Sequence, residues 1–345
     1  SLTSRQFVYY LLGGLKKEIE DKAYGGAQPN ISPKLIETLQ IGLPPLPEQQ
    51  RIVAKLDDLF GHLEQVKNRL ELIPGLLKNF RQAILTQAVT GKLTEEWREG
   101  KELGEWKGKR IDEVAILVSG FDFKSKDFTS NGIQLIRMGN LYNNKLSLDR
   151  NPVFLPNSID PKLKEKYLVN KGDILLSLTG TKYKRDYGFA IEINKDEELL
   201  LNQRILGLTP NINSKFLLYL LRGNDFRDAF FEFETGGVNQ GNVGVRNVAS
   251  IIQQIPPKEE QTEIVSSVEG LFSKADAIEA KYNTLKAQID NLPQAILAKA
   301  FKGELVAQLP TDGNAKDLLE EIQKMKAELA PKKKKMKKQI KLAKG

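Results

Sequence analysis

Cysteine is absent from the 345 residues and histidine occurs once. No disulfide frame and no thiolate metal site can form, and the lone His62, set within a helical pattern, reads as a solvated side chain rather than a ligand or a base. No apolar run reaches the roughly 18 residues that a membrane-spanning helix needs, and no basic segment followed by an apolar stretch opens the sequence. The expectation is a cytoplasmic chain without membrane contact.

Catalytic signatures are missing as well. There is no phosphate-binding P-loop, no nucleophile elbow and no metal-spaced histidine pair. Asn151, Pro152, Val153 and Phe154 come near the Asn-Pro-Pro-aromatic motif of adenine methyltransferases, but the second proline is lacking and no glycine-rich cofactor loop follows a strand upstream. The acids at Asp173 and Glu192 lack the Glu-x-Lys spacing of a common nuclease core. A chain that performs no chemistry alone and holds no cofactor or metal is expected.

Positive charge is plentiful, with a net value of +8, but it is localised. Residues 331–345 hold eight lysines and no acid, which leaves 44 basic residues against 44 acidic ones elsewhere. The folded body is electrically balanced, so any contact with nucleic acid has to come from local clustering. The tail, after a short helix at 317–329, reads as a disordered polybasic arm.

What the chain does have is a repeat. LPPLPEQQRIVAKLDDLF at 43–60 returns as IPPKEEQTEIVSSVEGLF at 255–272, and NFRQAILTQAVTGKL at 79–93 returns as NLPQAILAKAFKGEL at 291–305, always 212 residues later. In the first copy Leu56, Leu59, Leu63, Val66, Leu70, Ile73 and Leu77 alternate spacings of three and four, the seam of a helix that pairs with another helix. The offset carries them onto Val268, Leu271, Ala275, Ile278, Tyr282, Leu285 and Ile289, and every position stays apolar. Two such helices bury their seams against each other; the seam does not say whether they run parallel or antiparallel. Pro74 predicts a kink or break in the first helix, and Gly91 and Gly303 stand where helix-ending glycines belong.

The first 42 residues copy the end of the middle region: SRQFVYYLL at 4–12 resembles NSKFLLYLL at 213–221, and GGAQPNIS at 25–32 resembles GGVNQGNVG at 236–244. About 105 residues that precede this end in the second copy have no counterpart in the first. Residues 1–42 are therefore expected to be an orphaned C-terminal remnant of a first domain, lacking the strands its helix at 7–12 would pack on and prone to self-association. The remaining expected divisions are a long helix within 43–103, a complete domain at 104–254, a second long helix within 255–309, and a short helix with the tail at 310–345.

Between 104 and 254 short apolar runs alternate with Gly, Asn, Asp and Pro. Strands are predicted at 133–138, 173–178, 189–193 and 203–208, and helices at 216–221 and 225–233, giving a compact α+β domain with a small mixed sheet. Three polar loops in it carry the residue types that groove readout needs. One has Lys124, Ser125 and Lys126; the second has Thr181, Lys182, Tyr183, Lys184 and Arg185 between two glycines; the third has Asn239, Gln240 and Asn242. Arg137 and Asn140, in the GIQLIRMGN stretch, join them as candidates. Arginine and the amides bond base edges bidentately, and lysine suits phosphates.

The order of these pieces resembles the specificity subunit of type I restriction-modification systems. The motifs are LPPLPEQQRIV and QAILTQAVTGKL on the first helix, GEWKGKRIDEVA, GIQLIRMGN, NKGDILLSLTGT, LLNQRILGLTP and TGGVNQGNV in the middle, and IPPKEEQTEIV on the second helix, covering residues 1 to about 310. The resemblance implies target-recognition domains joined by an antiparallel pair of long helices, each domain reading half of a split site on double-stranded DNA, in a prokaryotic cytoplasm. It further implies methyltransferase subunits docked on the helices, joined by a restriction and translocase subunit. At ~1.5 Å per residue the roughly 42 residues of 48–89 would span about 63 Å, comparable with two turns of DNA. A different class of function, a structural adaptor whose helix pair recruits partners without DNA specificity, stands as the alternative.

Overall fold

The computed structural model describes residues 3–22, 31–194, 197–237 and 239–342, with side chains up to residue 328. The chain divides into two compact units, one of residues 1–74 and 279–345 and one of residues 75–278, each with its own core.

The first long helix is broken once. It runs as Leu46–Glu71 and resumes as Ile73–Val89. The break falls two residues before Pro74, which has no N–H to give to the preceding turn, and the Leu72 N–H closes a tight turn on the Arg69 carbonyl instead. The second long helix, Lys258–Phe301, carries Pro293 without interruption. Gly91 and Gly303 both take left-handed backbone past the helix ends, as expected of terminating glycines.

Within the unit of residues 1–74 and 279–345, Ile52 and Leu56 near the start of the first long helix pack with Leu297 and Ala300 near the end of the second, and Lys67 reaches Asp290 at 3.8 Å. Within the unit of residues 75–278, Ile84, Leu85, Ala88 and Val89 share a core with Ile264, Val265 and Val268, and Arg81 meets Asp276 at 2.6 Å. Both sets of partners run antiparallel. Along the seam Leu56, Leu77, Val268 and Ala275 are buried; Leu59, Leu63, Leu70, Ile73, Leu271, Tyr282 and Ile289 are half-covered; Val66, Ile278 and Leu285 are exposed. Two helices alone cover only one stripe of each other, and Leu56 and Val268 are fully buried where further elements join the pair.

The unit of residues 75–278 holds two four-stranded sheets. One is antiparallel, in the order Ala190–Glu192, Ile174–Ser177, Ile205–Pro210, Ala115–Ser119. The other is mixed: Ile133–Ile136 lies between Phe154–Leu155 and Leu199–Leu201, parallel to the latter, which is also antiparallel to Leu168–Val169. The methyltransferase-like tetrapeptide ends in Phe154, on the edge strand. The helices Ser214–Arg222 and Asn224–Glu232 fill the main core with Phe216, Leu217, Leu220, Leu221, Phe226 and Phe230. A two-stranded ribbon, Lys107–Arg110 against Ile252–Ile255, brings the beginning and end of this region together.

Two expectations need correction. The helix at Arg5–Gly14 is not without support: Phe7 and Leu11 are buried against Ile52, Leu56 and Leu297, because its apolar face was matched by the long helices and not only by absent strands. Its other face, Val8, Tyr9 and Leu12, is open. The basic tail is also helical in backbone, since the last helix runs from Ala315 to Leu342; lysine, methionine and leucine are good helix formers. The first glycine-rich copy at 25–32 lies largely outside the described residues.

Candidate nucleic-acid interface

The loop predicted at 181–185 is built on a rigid base. Tyr187 is buried and donates its hydroxyl proton to Glu234 at 2.8 Å, and burial beside that carboxylate pushes the phenol pKa up. Glu234 also accepts from the Tyr183 N–H, and Asp186 accepts from the Thr181 N–H at 2.7 Å. Arg227 donates to the Gly188 carbonyl at 2.6 Å and to that of Arg185 at 3.2 Å; burial lowers its pKa, with the nearby Arg185 charge adding to the effect. Gly180 is required here, because a Cβ would stand 2.6 Å from both Asp186 Oδ1 and the Tyr187 ring. This scaffold raises Lys182, Tyr183 and Lys184 at the tip, with Tyr183 80% exposed and in left-handed backbone. Lys182 reaches the Gly236 carbonyl at 3.0 Å, and Arg185 is turned aside to Asp228 at 2.6 Å.

Beside the loop two adjoining clefts of about 450 and 500 Å³ share Met138, Gly139, Arg150 and Arg204. The connection between the two sheets, residues 202–204, forms one wall: the Asn202 N–H donates to the Ile136 carbonyl, the Gln203 N–H to that of Phe121, and the Arg204 carbonyl accepts from Leu178. The end of strand Ile133–Ile136 supplies Arg137, and the loop after Leu148 supplies Arg150 and Asn151. Thr181, Asn239 and Gln240 close the other side. Four of the non-glycine residues with left-handed backbone, Asn151, Tyr183, Arg185 and Arg204, lie in or beside these clefts, a concentration of strain common at functional sites.

The fold sorts the sequence candidates. Lys182, Tyr183, Lys184, Asn239 and Gln240 fall on one loop cluster, and Thr181 lies at its root. Asn140 is buried: its amide donates to the Ser147 and Arg150 carbonyls and accepts from the Arg137 N–H, so it holds the cleft wall and does not face a ligand. Arg137 is half-buried and donates to the Asn151 carbonyl at 2.8 Å, leaving its Nε without a partner. Asn242 accepts from the Thr179 hydroxyl within a short strand pair. Lys124, Ser125 and Lys126 sit on a separate exposed turn that is absent from both cleft walls, with Lys124 paired to Asp122. The reading missed Arg150, Asn151, Asn202, Gln203 and Arg204. Arg150 and Arg204 are exposed and, among the described residues, neither forms an ion pair. Two free guanidinium groups shared by both clefts, and five amides divided between them, can bond base edges and phosphates.

Residues 1–73 and 104–287 match the family described as type I restriction modification DNA specificity domain. The chain is 31% identical over 296 residues to the StySPI specificity subunit of Salmonella potsdam, covering 85% of this chain and 63% of that one. It is 30% identical over 330 residues to the EcoKI specificity subunit of Escherichia coli, covering 90% of this chain and 69% of that one. Among solved structures, the HsdS subunit from Thermoanaerobacter tengcongensis aligns with a TM-score of 0.55 at 21% identity, over 87% of this chain and 70% of that one, and supports the fold. A chain from a study of assembly and conformational transition in a type I restriction-modification system aligns at 0.63 with 20% identity, over 88% and 72%. With a family match across most of its length and a relative 30% identical over 90% of it, this chain belongs to the type I restriction-modification DNA specificity family.

Proposed function

We propose that the chain is the DNA-recognition and scaffold subunit of a type I restriction-modification methyltransferase and endonuclease complex. In this reading the region 104–254 reads half of a split site in double-stranded DNA. The helix pair serves as spacer and as the docking site for methyltransferase subunits, which contribute the catalytic groups, and a restriction and translocase subunit completes the assembly. The observation that carries it is the cleft bordered by Arg150 and Arg204, whose guanidinium groups are not committed to acidic partners among the described residues. Lys182, Tyr183 and Lys184 on the adjoining loop would track the phosphates, and Gln203, Asn239 and Gln240 would reach base edges.

The test is DNA binding and methylation mapping with the partner methyltransferase present. Replacing Arg150 and Arg204 together by alanine should weaken specific binding by about 1–3 kcal/mol per lost base contact. If they bind phosphates instead, the slope of log affinity against log salt should fall by about 0.9 per contact. Unchanged affinity and methylation pattern would remove the cleft from the interface.

A further inference from the structure

The smaller of the two adjoining clefts, of about 450 Å³, is lined by three arginines and several amides and by no carboxylate. Its acceptors are largely spent within the protein. The Asn140 side-chain oxygen accepts from the Arg137 N–H at 2.9 Å, and that of Asn202 accepts from the Gln203 N–H at 2.9 Å. Donors remain in excess: Arg150 and Arg204 are exposed without an ion pair among the described residues, and the buried Nε of Arg137 has no partner.

Arg204 is set apart by its backbone. It stands in the left-handed region, at φ 72°, between the strands Leu199–Leu201 and Ile205–Pro210. The turn is pinned around it: the Asn202 N–H donates to the Ile136 carbonyl at 3.1 Å, the Gln203 N–H to that of Phe121 at 2.9 Å, and the Arg204 carbonyl accepts from the Leu178 N–H at 2.9 Å. Glycine would take this conformation without strain, and an exposed arginine gains no core packing that offsets the cost. The side chain is placed for something outside the protein.

A guanidinium offers five donors and no acceptor. In the major groove guanine alone presents two acceptors side by side, N7 and O6. Adenine pairs one acceptor with one donor, cytosine offers a donor, and thymine shows a single acceptor beside a methyl group. A donor-rich wall without a carboxylate suits guanine and leaves the amino group of cytosine unmatched.

We propose that Arg204 reads a guanine in the recognised half-site, donating to N7 and O6 from the major groove. This rests on the reading of region 104–254 as a DNA-recognition domain and adds to it a base and the residue that selects it.

The test selects duplexes from a library with a randomised central stretch, using the complex of the full chain with its methyltransferase partner, and repeats the selection with Arg204→Gly and Arg204→Lys. The parent pool should hold a fixed guanine that both variants lose, while the other enriched positions stay. Lysine keeps the charge for a phosphate but cannot make the bidentate pair. Glycine relaxes the backbone, so the thermal unfolding midpoint of Arg204→Gly should equal or exceed that of the parent. In the selected duplex, 7-deazaguanine at the fixed position, which removes the N7 acceptor, should weaken binding by about tenfold or more, and hypoxanthine, which alters only the minor-groove edge, should not. The proposal is overturned if either variant retains the guanine, if 7-deazaguanine binds like guanine, if the variants lose all positions alike, or if Arg204→Gly unfolds at a lower temperature. A parent pool with no enriched position overturns the DNA-recognition reading as well, whereas an enriched pool that Arg204 does not affect overturns this proposal alone.

Discussion

The helix Arg5–Gly14 and the helix Ser214–Arg222 sit on the same kind of seat and differ in what covers their backs. Phe7 and Leu11 correspond to Phe216 and Leu220, and all four are buried. Tyr10 meets Phe60 at 5.5 Å as Tyr219 meets Phe272 at 5.9 Å, and each tyrosine leads to the phenylalanine at the repeat's own offset. Even the anchoring polar group is duplicated. Gln49 donates to the Pro44 carbonyl and accepts from the Ser4 N–H, while Gln261 donates to the Pro256 carbonyl and accepts from the Asn213 N–H. The opposite faces diverge: Val8, Tyr9 and Leu12 are 38%, 68% and 40% exposed, whereas Leu217, Leu218 and Leu221 are 0%, 6% and 0%. The seat is therefore specified by the long helices alone, and burial of the second face depends on a sheet.

The sharpest way to break the comparison is to trim matching leucines. Leu221→Ala should cost about 2–5 kcal/mol in urea unfolding of the full chain, the range for a fully buried leucine, while Leu12→Ala should cost less than about 1. Equal costs would mean that the first helix is covered in solution. Next in size are Glu48 and Glu260, the glutamates buried near the start of each long helix. Glu260→Met leaves the Trp106 indole N–H, the Thr94 hydroxyl and the partly exposed Arg98 without their acceptor, and a loss of about 3 kcal/mol is expected. Glu48→Met removes a carboxylate that accepts no hydrogen bond from the described residues and should leave stability unchanged or raised, measured in the same titration.

The smallest effect separates the units by pH. Hydrogen bonds from Arg51 and from the Leu309 N–H lower the Asp312 carboxyl from 3.8 to about 2. The repeat puts Glu263 where Arg51 stands, so the second copy lacks this staple. A depressed folded-state pKa means stabilisation that is complete above about pH 4 and lost as pH falls towards 2. Asp312→Asn should accordingly be less stable than the parent at neutral pH, with the difference vanishing by about pH 2 in acid unfolding curves. A difference that persists at pH 2 would place the effect in packing.

Much of this was legible in the chain because it is periodic or repeated. The seam spacing located the long helices, Pro74 located the break, and apolar runs gave the strands at 133–136, 174–177, 190–192 and 205–210. Strands at Ala115–Ser119 and Leu199–Leu201 escaped, the first because the outward Ile116 is as apolar as the inward Leu117 and spoils the alternation, the second because three leucines have no period at all. The functional surface was read less well. Contiguous polar loops stand out in a sequence, so 181–185 and 239–240 were found, whereas Arg150 and Arg204 are 54 positions apart and meet through the turn between two sheets. The one local signal, for Arg204 alone, was an Asn-Gln-Arg triplet interrupting an apolar run.

The ribbon formed by Lys107–Arg110 and Ile252–Ile255 has a consequence for how such a chain can change. Its register sets Lys107 opposite Ile255 and Arg110 opposite Ile252, so the intervening 141 residues enter and leave through neighbouring strands only about 4.8 Å apart. A cassette with adjacent ends can be exchanged for another of unrelated interior without the flanking helices having to move. Substitutions can then accumulate in the contents of the cassette, while the elements that mount it are kept.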